Sequence, residues 1–407
     1  MPTAPDAPRA SFNFIAVAIA FVINMMGTTL PTAVYHYYQQ AYGFTAATIT
    51  VIFASYAFGV LAALLLVGNW SDQLGRKRML MFGLAVSACS AIVFMLSDSL
   101  AWLMAGRLLS GVSAGIFTGT ATVAVIEAAP EARRHTATFA ATASNMLGLG
   151  CGPVVGGLIV QWQPQPMRAP YAVHLALLCV AALAVLSVPE TARVAAQPRL
   201  RMQRLALPRE VRSAFMPAAL AGFAGFVVIG FFTAVSPQLM RTELGFHSDL
   251  TIGFVVFLLF AASALGQALQ SHVAAPWRLP AGCAGLIAGL GLIVFSVAAH
   301  SGSALIGAAL LAGLGQGASF RAGLGDITAR SPADERAGVT SAYFVVLYVA
   351  LSLPIVGVGI VVQMIDLRHA ALLFSACTTL LVLIALGLLL RNRHTTPPAA
   401  NANAPGK

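Results

Sequence analysis

Residues 67–80 read Val-Gly-Asn-Trp-Ser-Asp-Gln-Leu-Gly-Arg-Lys-Arg-Met-Leu. An apolar run of membrane-spanning length lies on either side of this tight polar turn, which holds one acid, two glycines and three consecutive cations. A bilayer core about 30 Å thick needs about 20 residues of helix. The same test, carried outward along the chain, predicts twelve spans, at roughly 12–35, 46–67, 79–97, 100–126, 136–161, 171–188, 213–237, 250–270, 279–299, 303–328, 337–364 and 368–390.

Composition agrees. Of 407 residues, 58% are apolar and 9% are charged, where a soluble domain carries about 25% charged residues. No single core absorbs so much apolar surface in water, which excludes a soluble fold. The formal charge of +10 does not indicate a nucleic-acid partner, because the cations fall in short loops. With the N-terminus inside, 18 of the 23 Lys and Arg residues lie in cytoplasmic segments, while Arg168, Arg241 and Arg368 lie outside and Arg107 and Arg321 within spans. That asymmetry predicts that both termini are cytoplasmic. The first apolar run is too long for a cleavable signal and is read as span 1. The five cysteines sit inside apolar runs without paired spacing, so they are read as small apolar packers.

Gly68-x3-Asp72-x2-Gly75-Arg76-Lys77 resembles the loop 2–3 signature of the major facilitator superfamily of secondary transporters. Gln73 stands where that family more often has a basic residue. The resemblance implies an all-α membrane protein of twelve transmembrane helices in two pseudo-symmetric six-helix bundles. The expected organisation is a cytoplasmic tail (1–11), an N-terminal bundle (12–188), a cytoplasmic linker (189–212), a C-terminal bundle (213–391) and a disordered tail (392–407). An internal repeat supports it. At an offset of 202, Arg76 meets Arg278, Gly111 meets Gly313, Gly115 meets Gly317, Pro130 meets Pro332, Arg134 meets Arg336 and Gly157 meets Gly359.

In that family the loop latches the N-terminal half to the start of span 11, read here as Ser331-Pro332-Ala333-Asp334 with Ser331 as N-cap. Anchoring by positive charge alone is the other reading of the loop. Arg107-x3-Gly111-x3-Gly115 in span 4 resembles the family's second motif, whose arginine faces the central cavity; an arginine snorkelling to the interface is the alternative. Gly148-x3-Gly152-Pro153-x2-Gly156-Gly157 in span 5 resembles the antiporter motif of the drug:proton antiporter branch, which implies export.

Arg107, Glu127 and Asp326 are the coupling candidates, with Glu127 expected to pair with a cytoplasmic arginine. Span 1 lacks the carboxylate that many drug:proton antiporters carry there. His174 titrates near neutral pH if solvated. Asn24, Thr28, Tyr35, Phe232, Ser236, Gln316, Phe320, Tyr343 and Tyr348 are the candidate cavity residues, since polar–aromatic faces suit amphipathic solutes. No phosphate loop, metal-ligand cluster or activated nucleophile emerges, so neither a cofactor nor enzyme chemistry is expected. The resulting expectation is a monomeric exporter of small amphipathic molecules in a bacterial inner membrane, driven by proton antiport. A transporter of an anionic metabolite is the alternative, and a non-transporting sensor or scaffold on the same fold is a further one.

Overall fold

The computed structural model describes residues 7–68, 70–131, 134–192 and 202–395. Among the described residues, twelve helices are long and apolar enough to cross a membrane: Ala10–Tyr42, Ala46–Val67, Arg76–Leu96, Leu100–Ala128, Thr136–Trp162, Ala169–Ser187, Arg209–Ala234, Asp249–His272, Ala275–Ala299, Gly302–Arg330, Arg336–Met364 and Leu367–Arg391. They are spans 1 to 12. The helix of span 12 continues to Thr395, and residues 396–407, within the tail expected to be disordered, lie outside the described residues. So do 193–201 of the linker.

Two spans are longer than the sequence suggests because each is built of two helices. Span 1 breaks at Leu30, between helices Ala7–Thr29 and Pro31–Tyr42. Pro31 has no N–H and cannot bond back to Gly27, and its ring crowds the preceding turn. Span 7 is continued beyond Val235 by a short helix, Ser236–Thr242, with a proline in its first turn. Both extensions rise on the side opposite the chain termini, here called the far side.

Spans 1–6 and 7–12 form two halves. The repeat in sequence is a repeat in packing. Gly111 of span 4 lies against span 2, at the Tyr56 carbonyl and Gly59 Cα, and Gly313 of span 10 lies against span 8, at the Leu259 carbonyl and Ala262. Between halves the pairing is reciprocal. Gly157 of span 5 sits on the backbone of Asp249 in span 8, and Gly359 of span 11 sits on Ala47 and Thr50 in span 2. Asp249 is Ala47 shifted by the same 202 positions. Spans 2 and 11, and spans 5 and 8, are thus the two seams that join the halves, and these glycines sit at their far-side ends.

The perimeter is as apolar as the core. Phe58, Leu183, Phe295 and Leu380 are each more than half exposed on outward faces. Water does not stabilise so continuous an apolar belt, whereas lipid does.

Candidate functional site

The turn between spans 2 and 3 is built around Arg76. Gly75 adopts φ +104°, a conformation open to glycine and strained for other residues, and this turns the chain into span 3. The Arg76 guanidinium then bonds Asp72 at 2.5 Å, Ser71 Oγ at 2.7 Å and Glu127 at 3.3 Å. Glu127 is therefore the acid of span 4 that closes this turn, and Thr191 Oγ1 donates to it at 2.7 Å. Gly68 caps span 2. Lys77 donates through Nζ to the carbonyls of Leu186 and Val188, at 2.5 and 3.0 Å, so it caps the end of span 6.

Glu190 is the residue that the sequence reading passes over. Its carboxylate accepts the backbone N–H groups of Arg76 and Lys77 at 2.8 and 3.1 Å. These are orphan donors at the start of span 3, where a negative charge is favoured. Its only signal in sequence was an acid next to Pro189 just past span 6.

Asp72 pairs here with Arg76, and its side chain is 62% exposed. The start of span 11 differs from the expected cap. The helix begins at Arg336, and Ser331 instead donates back to the Ile327 carbonyl at 2.6 Å, closing span 10. Pro332, following an extended Ser331, leaves a turn between the two spans. Asp326, near the end of span 10, pairs with Arg330 at 2.9 Å, and both side chains are substantially exposed.

Arg107 does not open on a central cavity, as its motif implied, nor does it snorkel. It is 1% exposed. Nη1 donates to the Thr28 carbonyl at 2.5 Å and Nη2 to the Phe53 carbonyl at 3.4 Å, with the guanidinium over the rings of Tyr56 and Phe53, 4.8 and 5.5 Å from their centroids. An arginine inside a bundle needs acceptors. Here the break in span 1 supplies one.

The remaining polar candidates of span 1 share this interior. Asn24 accepts from Ser113 Oγ at 2.9 Å, and the Thr28 hydroxyl donates to the Met25 carbonyl. Tyr35 is buried with its hydroxyl unpartnered. His174 is also buried; it lies against Gly27 and is 3.5 Å from Ser87 Oγ. Phe232 and Ser236 have no exposed surface, and Ser236 Oγ donates to the Phe232 carbonyl. They hold the end of span 7 rather than lining a path.

The C-terminal candidates do come together. Phe320 of span 10 stands 6.3 Å from Tyr343, 6.1 Å from Phe344 and 5.8 Å from Phe226 of span 7, while Tyr348 adjoins Phe226 and Phe344 at 6.2 and 6.4 Å. Phe226 and Phe344, which complete the array, were not among the candidates. Gln316, one turn above Phe320, accepts from Ser263 Oγ at 2.5 Å.

Span 5 packs against both halves. On one face Gly148, Gly152 and Gly156 receive span 1, at Val22 and Met25, at Met26 and Thr29, and at Leu30 and Ala33. Its other face meets span 8, where the Pro153 carbonyl approaches Gly253 and Gly157 approaches Asp249. Across the far-side end, Tyr37 donates to Asp249 Oδ2 at 2.8 Å, Arg241 pairs with Asp249 Oδ1, and Ser248 Oγ donates to Gln161 at 3.1 Å.

Two pseudo-symmetric six-helix bundles joined along paired seams, with an apolar perimeter, define an all-α membrane-protein fold. The Major Facilitator Superfamily profile matches residues 17–354, and the chain belongs to that family. It is 24% identical over 286 residues to the methylenomycin A resistance protein of Streptomyces coelicolor, covering 67% of this chain and 54% of that protein. It is 29% identical over 269 residues to a chloramphenicol resistance protein of Pseudomonas aeruginosa, covering 63% and 62%. It is 27% identical over 220 residues to a triacylglyceride transporter of Mycobacteroides abscessus, covering 53% and 40%. The chain thus spans about half the length of the curated relatives it matches. Among solved structures, a bacterial homologue of the human lysosomal transporter Spinster, in an inward-facing and occupied conformation, shares the fold with a TM-score of 0.76 at 15% identity, over 97% of this chain and 100% of that one.

Proposed function

We propose that this protein exports small amphipathic molecules by alternating access, in exchange for protons, from a bacterial inner membrane with both termini in the cytoplasm. The observation that carries this reading is span 5. Its glycine face seats span 1 and its Pro153–Gly157 face seats span 8, so the motif associated with export occupies the contact on which the halves move. The resistance functions named for two of the relatives support the same direction. The partly exposed rings of Phe226, Phe320 and Phe344, with Tyr348 beside them and the buried Tyr343 behind, offer aromatic faces to a solute with its own apolar or planar part. The seams are closed at their far ends, so the bound solute enters from the side of the termini.

The second reading, an anionic substrate, rests on Arg321 rather than Arg107. Arg321 is half-buried on span 10, next in sequence to Phe320, with Nη1 on the Gln267 carbonyl at 3.1 Å. Proteoliposomes loaded with an amphipathic dye decide between them. Acid outside should accelerate dye efflux, and a protonophore should abolish that acceleration. Efflux indifferent to the gradient would remove proton antiport. Selective transport of an organic anion would favour the second reading.

A further inference from the structure

We propose that Tyr37 and Asp249 form the far-side gate of this transporter, and that protonation of Asp249 from the far side releases it. The proposal rests on the alternating-access reading above and assigns its gate on the side opposite the chain termini.

Asp249 is 8% exposed and is the only carboxylate among the described residues with less than a tenth of its surface open. It is the first residue of span 8, in the C-terminal half. Tyr37, on the extension of span 1, belongs to the N-terminal half and donates to it at 2.8 Å. Opening the far side separates the halves and must break this bond. Arg241, on the extension of span 7, moves with Asp249 and pairs with its other oxygen. That arrangement makes the bond from Tyr37 charge-assisted, about twice as strong as a neutral one. The counterpart of Asp249 on the other seam is Ala47, against Gly359. The charge therefore breaks an otherwise duplicated contact, and packing alone does not require it.

Protonation removes the charge that both donors bind, so the neutral carboxyl holds Tyr37 less well. The other groups act in the same direction or not at all. His36 of span 1 and Arg241 line one crevice between the halves, so acid places two positive charges across it. His247, two residues before Asp249, is exposed. Span 5 presents the neutral Gln161, and spans 2 and 11 present Thr50 and Gly359. Acid on the far side thus shifts the population towards the open gate, because that state alone exposes the carboxylate to water.

The test is a distance measurement on the full chain in nanodiscs. Nitroxides are placed at Ala41→Cys and Thr242→Cys, both exposed positions on opposite halves, in a background with the five native cysteines replaced. At about pH 8 a single short distance is expected. At about pH 5 a longer population should grow, towards a limit of about tenfold in the open-to-closed ratio once the carboxylate is protonated in both states, if proton affinity differs by about one unit between them. Asp249→Asn should show the long population at both pH values. Tyr37→Phe removes only the donor and should show it at about pH 8. His36→Gln should keep most of the response. Identical distances at both pH values, in the unmutated gate and in Tyr37→Phe, would overturn the proposal, and Tyr37→Phe decides it even if Asp249→Asn does not fold. The measurement uses neither substrate nor gradient. A gate insensitive to acid with gradient-driven efflux intact defeats only this inference, whereas an acid-opened gate with gradient-independent efflux defeats only proton antiport.

Discussion

Arg107 Nη1 stands 2.5 Å from the carbonyl oxygen of Thr28, just before the break at which span 1 changes from one helix to another. Past the break the helical ladder is short of donors. Pro31 has none, and Ala33 N bonds Leu30 O at 3.2 Å instead of reaching a residue further back. Arg107, from span 4, fills part of the gap. It is thus a fixed strut that holds the kink of span 1 to spans 2 and 4.

Removing it should expose that role. Arg107→Ala leaves the buried Thr28 carbonyl without its side-chain donor and removes the longer bond to the Phe53 carbonyl, and a lost bond to a charged group is worth about 1.5–3 kcal/mol. Thermal unfolding in detergent should show a loss of about 3 kcal/mol. Arg107→Lys keeps the charge but not the planar fork that reaches Thr28 and Phe53 together, and should lose about half as much. Unfolding of Arg107→Ala at the unmutated temperature would contradict the strut.

Asp72 and Arg76 should separate gating from stability. Asp72 is mostly exposed and pairs within one turn of helix, and exposed pairs contribute about 0–1 kcal/mol. Asp72→Asn should unfold almost as the parent does while transport slows, as a latch residue would. Arg76, 9% exposed, ties Asp72, Ser71 and Glu127 together. Arg76→Ala should cost about 2–3 kcal/mol. Equal stability losses for the two variants, measured by denaturation, would refute the division.

Span 5 should be intolerant of side chains on its inner face. A methyl at Gly152 would come within 2.8 Å of Leu30 N and closer still to Thr29 Oγ1 and the Met26 carbonyl. Backbone cannot yield as a flexible side chain does, so Gly152→Ala should destabilise by about 1–3 kcal/mol and abolish dye efflux. Gly119→Ala and Gly291→Ala, where a methyl meets nothing within 4 Å, should leave efflux unchanged. Normal efflux by Gly152→Ala would show that the seam is not tight.

Asp366 gives a pH dependence of known sign. Its carboxylate accepts from the His369 backbone N–H at 2.7 Å and pairs with the His369 ring at 2.6 Å. These bonds, the backbone one first, hold it below the usual carboxylate range. A group lowered in this way stabilises the fold above its unfolded value, and that contribution is lost as pH falls through the folded value. Hydrogen exchange at the first turn of span 12 should therefore speed up, relative to intrinsic rates, as pH drops below that range. Asp366→Ala should exchange fast at every pH. An unchanged protection pattern in Asp366→Ala would show that the cap is inert.

The spans, their number and the duplication could be read from the sequence, because hydropathy, helix length and glycine spacing are local properties of the chain. So could the pairing of Glu127 with an arginine, since both charges flank turns on one face of the membrane. The partners of Arg107 could not be read, because a kink at Pro31 supplies a backbone acceptor with no residue-type signature. Nor could Glu190, whose ligands are N–H groups of a helix start 114 and 113 positions away. In the sequence Asp249 is one more acid at the edge of an apolar run. Only the packing of span 5 on span 8, and the extension of span 1 past its break, bring Tyr37 to it across 212 residues of chain. Sequence determines which segments cross the bilayer because burial in lipid acts on each segment by itself. Which charge is buried against which donor is decided by how the two halves meet, and that depends on all twelve helices at once.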